Sequence, residues 1–251
     1  MTNPEKNDGL TIAAIATMAA LTVTFVHEGL GHGGACLTLG GRITQLSSSL
    51  FHCDTPSPWI DPAGPLANLA LGTLALILSR RVTSTPWRLF FILITGFSYF
   101  WEGGYLVQAM ATAKGDLYFT GHNFIGEPSL WWRVAGGLLG ALLYLLTIRL
   151  TSRALLNLWP QKTARHVARI AWCAATLATV AAALTYHGGM GQNLHDTFTE
   201  IGLASLPLLI IPLRALNPPA KVAVMERKPL ALVVAAVIFI VFTLTQGHGL
   251  G

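Results

Sequence analysis

Apolar runs long enough to cross a bilayer recur along the whole chain, and they constrain it more than any other feature. The first covers residues 10–26. Further candidates lie at 62–78, 87–112, 131–150, 170–186, 201–216 and 230–245. A span needs about 17 residues or more, and several of these runs sit near that limit. Charge agrees: only 11% of the 251 residues are Asp, Glu, Lys or Arg, against about 25% in a soluble domain. The expectation is an all-α membrane protein of about seven transmembrane helices, the first extending over 10–39. It forms a single polytopic domain, 1–251, in which 1–125 is the candidate catalytic core and 126–251 adds further helices. The sixth helix holds Pro207 and Pro212 and should kink. Between the first two helices, "GRITQLSSSLFHCDTPSP" is polar and rich in β-branched and turn residues. It reads as a short hairpin or loop at the membrane face. The first run leads straight into a histidine motif, so it reads as a retained span and not a cleaved signal.

Thirteen of the sixteen Lys and Arg residues fall on the N-terminal side of this arrangement; Arg42, Lys114 and Arg133 fall on the other. Such a bias marks the N-terminal side as cytoplasmic. It fits an odd number of spans, with the N-terminus inside and the C-terminus outside. The net charge of +5 is then a topology signal, and no nucleic-acid partner is expected. Three cysteines make no disulfide framework. Cys36 and Cys53 share the outer side, where an oxidising compartment would let them pair; the plainer reading of Cys36 is a small packing residue.

Ionisable side chains inside spans are costly and mark function by default. His27, Glu28, His32 and Glu102 are such residues. The stretch "FVHEGLGHGGA" is close to H-E-x-x-H, the helical zinc motif in which two histidines share a face beside a glutamate. Here the histidines are five apart. At about 100° per residue, four residues leave two side chains roughly 40° apart and five leave them roughly 140° apart. A π-turn takes up one extra residue and would bring His27 and His32 together. Gly29, Gly31, Gly33 and Gly34 leave the backbone soft enough for one. The second motif, "DPAGPLANLALG", opens the second helix, where Pro62 and Pro65 suit a first turn. Its ordinary reading is a helix start with a small-residue packing face, but the Asn68 amide inside a span wants partners.

Together "HEGLGH" and "AGPLAN" resemble the site-2-protease group of intramembrane metalloproteases. The resemblance implies a zinc ion bound by His27 and His32, a water activated by Glu28, and an Asn68 that holds the substrate or the oxyanion. The third ligand in that family is an aspartate in an L-D-G context, which this sequence lacks. Instead "GGYLVQAMATAKGDLYF" is similar to a G-Y…G-D pattern in a branch of bacterial membrane proteins that also carry HEGLGH, which implies Asp116. Glu102, in "FWEGGY", is the rival, since glutamate can complete a His₂Glu site; Asp61 is a further candidate. Distance along the helices does not separate them. The longer H-E-x-x-G-H spacing also occurs as the zinc motif of the soluble dipeptidyl peptidase III family, which is similar in nothing else.

The expected activity is zinc-dependent hydrolysis of peptide bonds in transmembrane or membrane-associated proteins, within the lipid bilayer of a bacterial inner membrane. The substrate would be extended and could pair with "RITQLSSSL" as an added strand. Two other classes stay open. A metal-binding transporter would use the same histidines with acids as a relay, and His52, His122, His187, His195 and His248 on the outer side suit it. A non-catalytic scaffold of the same fold would bind no zinc.

Overall fold

The structure, a computed structural model, describes residues 7–211 and 222–250. Helix α1 (Gly9–Thr24) starts at Asp8, whose carboxylate accepts the Thr11 N–H at 2.7 Å and satisfies one of the free donors of the first turn. It continues as a π-helix, Phe25–Gly33, and then as α2 (Gly34–Thr38). The polar stretch that follows is an antiparallel hairpin of β1 (Ile43–Leu46) and β2 (Phe51–Cys53). Then come α3 (Ile60–Arg81), α4 (Thr85–Thr112), α5 (Asp116–Ile125), α6 (Leu130–Leu156), α7 (Gln161–Ala183), α8 (Met190–Thr197) and α9 (Pro229–Phe242). Six segments among the described residues are long and apolar enough to cross a membrane. Leucines and valines along α6 and α9 stay exposed, as a lipid-facing surface requires.

The helix expected at 201–216 is not a regular span. The chain instead leaves α8 as a second π-helix, Phe198–Leu203, and then a 3₁₀ turn, Leu206–Leu209. Pro207 has no N–H to give a helix and breaks the ladder at that point. Pro212 and the end of the expected helix lie outside the described residues. The irregular segment still travels back along α7. Asn193 donates to the Ala183 carbonyl at 3.2 Å near the end of α7. Trp172 Nε1 donates to Gly202 O at 2.8 Å, and Arg169 Nε to Leu209 O at 3.0 Å nearer its start. Side chains of α7 thus satisfy carbonyls that a helix would have satisfied itself, which is the condition for irregular backbone at membrane depth.

Two faces result. At one, the start of α1 meets the start of α9: Asp8 N–H donates to Met225 O at 2.7 Å and Lys228 N–H to Thr11 Oγ1 at 3.0 Å. Arg80 and Arg81 close α3 and Arg153 lies in the last turn of α6, on the same face; Lys6, Arg214 and Lys221 lie outside the described residues. At the other face the first π-helix, the hairpin, α5, α8 and the end of α9 gather. Leu250 exchanges both backbone hydrogen bonds with Leu46, at 2.8 and 2.9 Å. Cys36 and Cys53 do pair here, tying α2 to β2. The packing role expected for Cys36 gives way because the hairpin folds β2 back over the helix it follows. Between the faces, α1, α4, α6 and α7 share one apolar core that includes Phe97, Phe100, Trp101, Leu155 and Trp159.

Candidate metal centre

The π-helix turns the two histidines onto the same side. His27 Nε2 and His32 Nε2 lie 3.2 Å apart, and Asp116 Oδ2 lies 3.4 Å from the first and 3.2 Å from the second. An ion with tetrahedral bonds of 2.0–2.1 Å separates its ligands by roughly 3.3 Å. Among the described residues these three form the one group placed to hold a metal ion.

The opposite ring nitrogens explain which atoms face the centre. His27 Nδ1 lies 3.0 Å from Glu102 Oε1, and His32 Nδ1 lies 2.8 Å from the carbonyl of Ile60 at the start of α3. Both partners are acceptors, so both Nδ1 atoms carry the proton and both Nε2 lone pairs point inward. Two lone pairs and a carboxylate then converge with no donor between them. A positive charge at that point offsets the repulsion, and a metal ion supplies one. Ring planes are fixed by stacking: Trp101 lies against His27 with centroids 4.3 Å apart, and Phe51 of β2 against His32 at 5.5 Å.

Asp116 reaches the centre through a reversal of the chain. Ala113 ends α4 in the left-handed region at φ 56°, and Gly115 follows at φ 100°. A side chain at Gly115 would be strained by that φ and would meet Tyr105 Oη at 2.7 Å. The turn sends α5 back across the end of α4, with Asp116 as its first residue.

Close approach of α3 completes the centre. A Cβ on Gly64 would run into His32 Nε2 and would meet His27 Nε2 at 2.8 Å. A Cβ on Gly31 would meet Gly64 Cα at 2.6 Å. The glycine of "AGPLAN" therefore clears the space in front of the two imidazoles. That reason for Gly64 was not visible in the motif, which drew attention to Asn68.

The remaining candidates separate by which side of His27 they occupy. Glu102 is 1% exposed and faces Nδ1, on the far side from the convergence point. Asn68, 0% exposed, donates to Glu102 Oε1 at 2.9 Å and also approaches His27 Nδ1 at 3.2 Å. Glu102 Oε2 and Asn68 Oδ1 have no hydrogen-bond partner among the described residues. A carboxylate behind a histidine is the arrangement that orients metal-binding imidazoles and raises their basicity. Asp61 accepts from Asn123 at 3.0 Å and stays outside the group of three.

Glu28 is 3% exposed and lines the same cavity of about 500 Å³ as His27, His32 and Asp116. It has no hydrogen bond or ion pair among the described residues. The cavity wall includes β2 through Phe51 and His52. Leu46 gives both backbone groups to Leu250, so its pair with Phe51 is the non-hydrogen-bonded kind. The N–H and C=O of Phe51 consequently point away from β1, toward the free edge. His122 does not reach the centre; its ion-pair partner is Glu127, at 3.3 Å.

Sequence reasoning gave no site role to Trp101, to Phe51 or to Glu200, which also borders the cavity. Glu200 carried a usable signal, as an acid opening an apolar run. Comparison with family models, with curated proteins and with solved structures finds no match for this chain.

Proposed function

We propose that the chain is an integral-membrane metallohydrolase that cleaves peptide bonds of membrane-associated proteins. His27, His32 and Asp116 would hold a zinc ion. The observation that carries this reading is an inward-facing acceptor triad beside a buried, unpaired Glu28. Donor chemistry favours zinc: two imidazoles, one carboxylate and an open side toward the cavity match a catalytic site, whereas calcium and magnesium take oxygen ligands. Once bound, the ion would polarise a water and the substrate carbonyl.

The chain's own residues supply the rest. Glu28 takes the proton from the attacking water and returns it to the leaving amine, so the acyl carbon gains hydroxyl and the nitrogen gains hydrogen. Its lack of a fixed partner leaves it free to do both. Glu102 holds His27 in the tautomer that keeps Nε2 unprotonated. Asn68, bonded to Glu102, is a positioning residue in this reading rather than a group that touches the oxyanion. The unpaired edge of β2 can take an extended substrate segment through Phe51, since a helical peptide bond is shielded from attack. The transporter reading gains no observation of its own, since Glu28 needs no proton-relay partner to explain its place.

The basic-residue bias and the disulfide at the face of the centre both support a cytoplasmic N-terminus and a centre toward the exterior of a bacterial inner membrane. The test is zinc content and peptide hydrolysis by the purified protein, wild type beside Glu28→Gln and His27→Ala. One zinc per chain in the first two, with turnover only in wild type, is the expected result. Turnover undiminished in Glu28→Gln, or no zinc in wild type, defeats the proposal.

A further inference from the structure

The second π-helix brings another acid to the cavity. Glu200 borders two spaces at once. One is the polar cavity of the metal centre. The other is an apolar groove of about 450 Å³ between α4, α6 and the second π-helix. Tyr105, Gln108 and Thr199 also border both. A chain lying from the groove into the cavity would run past these four residues, of which Glu200 alone is an acid.

Five carboxylates line the cavity, against a single lysine, Lys114, which is exposed. Three of the five have partners: Asp116 has the histidines, Asp61 has Asn123, and Asp196 has His195 at 3.0 Å. Glu28 is reserved for proton transfer. Glu200 alone is left half-buried with neither a hydrogen bond nor an ion pair among the described residues. Glu28, His27, Asp196 and Asp116 lie within electrostatic reach of it, and three of these four are acids. A carboxylate in that setting gains from a cation that arrives from outside. A second metal ion is a poor candidate, because no other group among the described residues gathers enough ligands for one. The apolar groove suits a different cation, one with a methylene stem behind its charge, since lysine and arginine lay such stems on apolar surfaces while the head finds water or a partner.

We propose that Glu200 is a specificity-determining residue, selecting a lysine or arginine side chain beside the bond to be cleaved. This rests on the hydrolytic reading above, and it adds the kind of sequence the site accepts.

The test separates the two ideas by measuring binding and hydrolysis apart. Zinc-loaded full-length protein carrying Glu28→Gln is placed in nanodiscs. It is titrated with fluorescent apolar peptides identical except for one lysine, norleucine or glutamate. The lysine peptide is expected to bind about tenfold more tightly than the norleucine peptide, as for a partly desolvated ion pair. Adding Glu200→Gln should abolish that preference with zinc content unchanged, and Glu200→Lys should turn it toward the glutamate peptide. Equal binding of lysine and norleucine peptides overturns the Glu200 proposal, as does failure of the lysine peptide to bind. A lysine preference that survives Glu200→Gln overturns it too. Preference intact while the wild-type protein hydrolyses none of the peptides instead defeats the hydrolase reading alone.

Discussion

Two π-helical segments face one cavity, and they are held in opposite ways. Phe25–Gly33 is rigidly supported. Each of its histidines has an acceptor behind Nδ1 and an aromatic ring on its face, and Gly64 of α3 packs against both Nε2 atoms. Phe198–Leu203 presents Glu200 with no partner at all among the described residues. The same backbone device therefore serves two ends. Where the proposed function puts an ion, the distortion is surrounded by fixed contacts. Where it puts a variable side chain of the substrate, the distortion is left open.

The largest test of this contrast substitutes one glycine in each setting. Gly64→Ala places a methyl group against two imidazoles, and zinc content should fall from one per chain to near none, with hydrolysis lost. Gly202→Ala meets mainly the Phe198 side chain, at 2.8 Å, which can turn aside. Zinc content there should be unchanged, as metal analysis of the two proteins side by side will tell. Loss of zinc in both would erase the distinction.

A smaller effect is expected behind the first segment. Glu102→Gln keeps the shape but weakens the acceptor for His27 Nδ1, and zinc affinity should drop by about 10–100-fold. Asn68→Ala removes a support one step further out and should cost less than Glu102→Gln. Competition with a chromogenic chelator measures both. An Asn68→Ala protein with normal affinity but no turnover would give Asn68 a direct role with substrate.

The smallest effect on the centre comes from its outer frame. Closing a loop of the size between Cys36 and Cys53 stabilises a fold by about 3 kcal/mol. The double variant Cys36→Ser, Cys53→Ser should melt at a lower temperature yet still bind one zinc, because Phe51 is the only hairpin side chain stacked on a ligand ring. Thermal unfolding followed with metal analysis checks this, and complete loss of zinc would mean that the hairpin itself shapes the centre.

Much of the first segment was legible. The five-residue spacing of His27 and His32 excluded a shared face on a regular helix, and four nearby glycines marked where the helix could deform. Asp116 could be named only through its resemblance to a G-D pattern. Counting residues along helices failed there, because the reversal at Ala113 and Gly115 carries Asp116 back to a depth that a straight count does not give. Choosing between Glu102 and Asp116 as third ligand needed to know which nitrogen of His27 each one meets, and spacing holds no such information. The 201–216 segment was read as a kinked span because its composition is largely apolar. The prolines foretold a kink but neither the π-turn nor the 3₁₀ turn, whose carbonyls at Gly202 and Leu209 depend on Trp172 and Arg169, 30 and 40 residues away in sequence. The disulfide was hidden for a related reason, since it exists only after a hairpin has folded.

The ladder between Leu46 and Leu250 has a consequence for biosynthesis. The strand that frames the cleft is made early, yet its outer edge stays bare until the segment carrying Leu250 has been made. During that interval the young protein offers two open edges instead of one, and a stray extended segment could settle on the wrong side. Arrival of Leu250 removes that choice, so a segment made some two hundred residues later leaves the strand a single open edge.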